Sequence, residues 1–269
     1  MPIIYDEPMD QYHANAAIGS GDLRAFMRSP RLYMDQRLGI GGKKESAALA
    51  LGTLAHTFFL EPARYAKEVV VKPEGHDGRT KEGKAWNEAN AGRMVISPAD
   101  QQVLDILKVR MPSEVSGILA DPAGKAEVTY RAELEGVTCQ CRADWQVPSH
   151  TDETMEIYDL KTCQNVDDAA KSVWDWGYHI QQEFYRFVVR ANLGKFPRFT
   201  FIFCETAAPY RWRIVRLDDT LARHAQEKIG YALAGIRHCI ETDDWSDTSP
   251  IHQTVSAPKW AGLTDSTEP

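Results

Sequence analysis

Met155-Glu156-Ile157-Tyr158-Asp159-Leu160-Lys161 is the stretch on which the reading of this chain turns. It has the length and apolar content of a strand, and successive side chains of a strand point to opposite faces. Asp159 and Lys161 therefore share one face, ~6–7 Å apart along the strand, while Leu160 packs on the other. An acid and an amine side by side suit one kind of chemistry. The carboxylate holds a divalent ion, the amine orients or deprotonates a water beside it, and the Leu160 carbonyl adds a hard oxygen ligand. Asp-x-Lys alone is also a common surface ion pair, so chemistry requires further acids nearby.

Working outward, the same period of two runs through the preceding residues. Val128, Tyr130, Ala132 and Leu134 alternate with Glu127, Thr129, Arg131 and Glu133. Glu135-Gly136 marks a turn, and Val137, Cys139, Cys141 and Ala143 then alternate with Thr138, Gln140, Arg142 and Asp144. Three strands on short links predict an antiparallel meander. If the second and third pair as a hairpin, Asp144 and Asp159 converge at one end of the sheet. Glu127 on the first strand adds a third carboxylate, although its face carries Thr129 and Arg131 and reads equally well as solvated. Oxygen ligands in this number suit Mg²⁺ or Mn²⁺ and not zinc.

Downstream, Val173, Trp176, Ile180, Phe184, Phe187 and Val188 predict one long helix over 166–192. Strands follow at 199–205 and 211–217, and a helix over 218–241. Upstream, residues 1–19 read as an extended lead-in. Ser20 is placed to cap a short helix that Pro30 ends or interrupts, with a second helical piece over 31–38. Residues 46–60, SAALALGTLAHTFFL, read as a buried helix that Glu61-Pro62 ends, with a short strand over 67–71. The polar, locally basic stretch 72–97 predicts a surface loop or partly helical flap. Ser97-Pro98 then opens another helix, broken near Pro112. The order of elements predicts an α/β (α+β) fold, a central mixed sheet flanked by helices. One domain is expected over 1–269, with its core at 46–242, a helical lead-in at 1–45 and a polar tail at 243–269.

Composition narrows the classes. The 269 residues carry 31 Lys+Arg against 38 Asp+Glu, a net charge of −7. No apolar run reaches the ~18 residues of a membrane span, and no signal peptide is expected. Seven tryptophans, ten tyrosines and nine phenylalanines supply a core that a disordered chain lacks. Five cysteines, an odd number without C-x-x-C, read as reduced cytoplasmic thiols. Net acidity does not exclude a nucleic-acid enzyme, because carboxylates at its centre need only a basic rim.

Gly52-Thr53-Leu54-Ala55-His56, then Asp144, then Asp159-Leu160-Lys161, then Gln181-x-x-x-Tyr185 resembles the P-D-(D/E)-x-K nuclease superfamily in its RecB-like branch. Asp10-x-Tyr12-His13, Ser29-Pro30, Arg79-Thr80-Lys81-x-Gly83-Lys84, Tyr178-His179 and Pro258-x-Trp260 bring the likeness closer to RecE-type exonucleases (exonuclease VIII) of prophage origin. The resemblance spans about residues 5–262.

The resemblance implies a restriction-endonuclease-like core. Asp144, Asp159, the Leu160 carbonyl and His56 would ligate Mg²⁺ (Mn²⁺ substituting), with Glu127 as an extra acid. Lys161 would act on the attacking water, and Gln181 and Tyr185 would hold phosphate or a DNA strand. On their own residues, His56 among Leu54, Phe58 and Phe59 reads as readily as a core histidine, and Tyr185 as core. Arg79, Lys81, Lys84 and Arg93, with Tyr178 and His179, are candidates for DNA contact, and Trp86 for a wedge at a duplex end. The cysteines do not supply an iron–sulfur cluster. By resemblance the chain degrades linear double-stranded DNA from its ends, 5′→3′, for a RecT-type annealing partner, and assembles as a ring-shaped homo-tetramer. A repair or defence nuclease of the same fold, and a silent DNA-binding module, are the alternatives.

Overall fold

The computed structural model describes residues 3–42, 46–247, 254 and 256; Pro258 and Trp260 lie outside the described residues. The lead-in is more structured than its sequence suggests, with β1 (Ile3–Ile4) and α1 (Met9–Ala14). Then come α2 (Ser20–Arg28), α3 (Pro30–Arg37), α4 (Ala47–Leu60) and α5 (Pro62–Glu68). The basic segment holds β2 (Val69–Val71), α6 (Lys81–Ala89) and β3 (Met94–Ile96), followed by α7 (Pro98–Val109) and α8 (Ser113–Leu119). The meander is β4 (Lys125–Leu134), β5 (Val137–Pro148) and β6 (Met155–Cys163). After it run α9 (Ala169–Asp175), α10 (Tyr178–Leu193), β7 (Arg198–Glu205), β8 (Trp212–Val215) and α11 (Asp219–Thr242).

Six strands form the central sheet in the order β1-β4-β5-β6-β7-β8. β4, β5 and β6 pair antiparallel, β6 and β7 parallel, and β7 and β8 antiparallel. The sheet is mixed, as the sequence predicts, because the link from β6 to β7 carries α9 and α10, a crossover long enough for parallel pairing. One core joins the sheet to α2, α10 and α11 through Leu23, Tyr130, Phe184, Phe201 and Ile236. A second, built on Leu107, Trp145, Leu160 and Ile202, lies under α7 and α8. No helix among the described residues is long and apolar enough to cross a membrane.

Four local expectations are corrected. Gly19, not Ser20, occupies the cap position of α2, and its N–H donates to Asp22 Oδ2 at 2.8 Å. Pro30 opens α3 behind a Ser29 cap, since proline fits the first helical turn, where its missing N–H has no partner to lose. The helix over 166–192 is broken between α9 and α10 at Gly177, whose φ of 64° is left-handed. A side chain there would also place Cβ 2.8 Å from Arg24 Cδ, so that arginine would have to shift. Finally, α4 is buried only in its second half: Leu54, Ala55 and Leu60 are covered, while Leu49 is 61% exposed.

Candidate active site

β5 and β6 pair from Pro148–Met155 up to Trp145–Tyr158 and then part. At the parting, Asp144 Oδ2 takes over from the ladder and accepts the backbone N–H of Leu160 at 2.9 Å. From the opposite side α4 brings His56, whose Nε2 lies 2.8 Å from the Leu160 carbonyl. The Leu160 backbone is thus held at both its N–H and its carbonyl, and Asp159 and Lys161 flank it on the face toward α10. His56 Nδ1 stands 3.5 Å from Asp144 Oδ2. Burial, then the nearby Lys161 ammonium, push the imidazole pKa down, so the ring is neutral as a metal ligand must be.

Asp159 is fully buried. Gln181, one turn into α10, donates Nε2–H to Asp159 Oδ2 at 2.6 Å, and the Lys161 ammonium pairs with Oδ1. The Tyr178 ring lies 4.8 Å from Lys161 Nζ, a cation–π contact that holds the amine from its other side. Burial alone would lower the Lys161 pKa, but the Asp159 and Asp144 carboxylates outweigh it and raise it. Those two carboxylates thus favour the charged ammonium form of Lys161.

Glu127 reaches the site through a backbone irregularity. Ala126 pairs with Trp145 and Val128 with Ala143, leaving Glu127 opposite Asp144 without a pairing. Its φ is 53°, a costly conformation for a residue with a side chain, of a kind that concentrates at functional sites. Burial, then Asp144, lift its carboxyl to about 7. Burial, then Asp159, also raise Asp144 well above the usual range. Arg142 Nε stands 2.6 Å from Glu127 Oε2, with both side chains buried.

His56, Glu127 and Asp144 each offer one ligand atom, all within 4.8 Å of one another, the one such group among the described residues. Asp159 stands outside this trio. Burial and mutual repulsion keep protons on Glu127 and Asp144 that a divalent cation would displace, and oxygen donors with one imidazole fit such a hard cation.

The other sequence candidates divide. Tyr178 and Gln181 are at the site, but they hold Lys161 and Asp159 in place. Tyr185 is buried in the main core, edge-on to Phe199, and after burial the neighbouring Tyr12, Asp159 and Asp144 push its phenol pKa up, so it borders the acids from the core side. His179 is buried, its Nδ1 3.2 Å from the Val173 carbonyl. On the flap, Lys81 and Lys84 are exposed, and Arg79 forks onto Asp77. Arg93 donates to the Val69 carbonyl at 2.6 Å, clasping β2, and Trp86 rests against His76. Arg142 escaped the sequence reading, although the period of two puts it on the same face as Asp144.

An α/β core whose central strands part over two aspartates and a lysine is the architecture of the PD-(D/E)XK nuclease fold. The chain belongs to the family described as "PDDEXK-like domain of unknown function (DUF3799)", whose profile matches residues 19–256. The fold is similar to the crystal structure of a "Putative exonuclease" from Eubacterium rectale, with a TM-score of 0.63 at 16% identity over 94% of this chain and 97% of that one. SSO0001 aligns at 14% identity over 78% of this chain and 86% of its own, but its TM-score of 0.27 carries no argument. No curated protein matches.

Proposed function

We propose that this protein is a divalent-metal-dependent deoxyribonuclease that hydrolyses phosphodiester bonds of linear double-stranded DNA from its ends. The observation that carries the reading is the Leu160 backbone held at both its N–H and its carbonyl, with Asp144, Asp159, Lys161 and His56 gathered around it. His56, Asp144, Asp159 and the Leu160 carbonyl would hold Mg²⁺ (Mn²⁺ substituting), with Glu127 beside them. A bound cation supplies charge neutralisation at the phosphodiester and a lowered pKa for an attacking water.

The chain's own residues do the rest. Lys161, held by Asp159 and Tyr178, sets a positive charge where the transition state gathers negative charge. Gln181 fixes the Asp159 carboxylate in rotation. Asp144 fixes the backbone between the two reactive side chains. Each group is in place before substrate arrives, so little reorganisation is needed during reaction.

On the RecE-type likeness, digestion runs 5′→3′, the single strands produced go to a RecT-type annealing protein, and the enzyme works as a ring-shaped tetramer around its DNA. Digestion of linear and closed circular duplex with Mg²⁺, Mn²⁺ or EDTA tests the core of this reading. Loss of the linear substrate only, and only with metal, is expected. Cleavage of closed circles would overturn the end-dependence, and no cleavage under either metal would overturn the enzyme. End-labelled duplex then reports polarity.

A further inference from the structure

Beside the acid site lies a cavity of about 1190 Å³, walled by α1, α2, the turn between α9 and α10, and α11. We propose that it binds single-stranded DNA, as a path for one strand to or from the acid site; the inference rests on reading the protein as a DNA enzyme.

Aromatic groups carry the first part of the argument. Trp174 and Trp176 both line the cavity and are 56% and 62% exposed. Indole rings this open forfeit burial that a folded chain ordinarily secures. Both are held. Trp174 stacks on His179, with centroids 5.2 Å apart and planes at 6°, and on His224 at 5.1 Å. The carbonyl of Trp176 accepts from the Arg24 guanidinium. Among the described residues no ring stacks on Trp176, so its face is available.

Charge carries the second part. Arg24, Arg28 and Lys228 line the same cavity. The acids of its wall are matched: Asp22 lies 3.9 Å from Arg37 of the same wall, and Asp175 pairs with Lys171 outside it. A local cationic surface thus stands on a chain of net charge −7. Exposed indole beside guanidinium and ammonium is the combination that binds a nucleic-acid strand through base stacking and phosphate contact. A duplex hides the faces of its bases, so stacking of this kind selects an unpaired strand.

Position carries the third. Tyr12 lines the cavity, and the Arg142 guanidinium, which pairs with Glu127, lies 5.7 Å from its ring. Gly177 lines it too and is followed by Tyr178, the residue over Lys161. The groove and the acid site share a wall.

The test measures binding of the full chain in EDTA, by anisotropy of a fluorescein-labelled oligo-dT and of a matched oligomer with abasic sites. Wild type is expected to bind oligo-dT about tenfold more tightly than the abasic strand, a ratio of the size stacking supplies. Trp176→Ala should bind both strands equally weakly, and Trp176→Phe should restore the preference. Arg28→Glu with Lys228→Glu should weaken both strands and flatten the salt dependence. Equal binding of the two strands by wild type, or an undiminished preference in Trp176→Ala, would overturn the proposal. The wild-type comparison needs no variant to fold. Set beside the digestion with Mg²⁺, absent cleavage with this preference intact strikes only the nuclease reading, and intact cleavage without the preference strikes only the groove.

Discussion

Asp144 Oδ2 accepts the Leu160 N–H at 2.9 Å at the point where β5 and β6 cease to pair. One carboxylate thus joins a structural role to the proposed ligand role, and two substitutions separate them. Asp144→Asn keeps an acceptor for the amide and loses the charge. It should retain stability within about 1 kcal/mol while cleavage falls by about 10²-fold or more. Asp144→Ala removes the acceptor as well and should cost a further ~1–3 kcal/mol. Urea unfolding beside a cleavage assay reads both, and equal activity in Asp144→Asn would remove Asp144 from the site.

Gln181 donates to Asp159 Oδ2 at 2.6 Å, so its contribution should pass through Asp159 rather than through DNA. Gln181→Ala is expected to weaken Mn²⁺ binding or cleavage about 10- to 100-fold, the usual effect of losing a partner of a metal ligand. Calorimetry with Mn²⁺ in the absence of DNA separates the roles. Unchanged metal affinity together with a raised KM would assign Gln181 to the DNA strand instead.

The Glu127 carboxyl is lifted to about 7 from an ordinary 4.5. A raised folded-state pKa means that the folded protein holds a proton which the unfolded chain releases. The Glu127 contribution to the stability of the metal-free protein should therefore be lost as pH rises from about 4.5 to about 7 and be gone above. Glu127→Gln should flatten that slope. Cation binding needs the carboxylates deprotonated, so binding at pH 6.5 should release protons and tighten as pH rises. Thermal melts across pH and calorimetry in two buffers of different ionisation enthalpy measure these effects, and proton uptake on binding would contradict them.

Glu205 is fully buried at the end of β7, bonded to the Arg211 guanidinium and backbone N–H and to the Val166 N–H. The Arg211 hydrogen bonds outweigh desolvation and hold its carboxyl down at about 2. A lowered folded-state pKa contributes stability that is present above an ordinary 4.5 and lost as pH falls toward 2. Glu205→Gln should thus be destabilised more at pH 7 than at pH 3, as read by urea unfolding. An equal loss at the two values would show that the charge is not what matters.

Much of the fold was legible because sheets and helix starts are written in short-range pattern. The alternation over 128–143, the turn at Glu135-Gly136 and the Ser97 cap, closed by Asp100 at 3.0 Å, all appear where residue chemistry puts them. The break at Gly177 was hidden, because a glycine in an apolar helical period is also tolerated inside a helix. The exposure of Leu49 was hidden because apolar character says nothing of which neighbour arrives to cover it. The Glu127–Arg142 pair was half visible: register puts the two near each other, but only the left-handed backbone at Glu127 turns its carboxylate toward Asp144.

By itself the sequence determined the mixed sheet, the strand that presents Asp159 and Lys161 together, and the short list of acids able to join them, because side-chain alternation is local and strict. Only the tertiary structure decided that His56 closes on the Leu160 carbonyl, that Gln181 and Tyr178 grip Asp159 and Lys161, and that two open tryptophans stand beside that centre. Those contacts join residues distant along the chain, and their geometry is set by how the helices pack on the sheet.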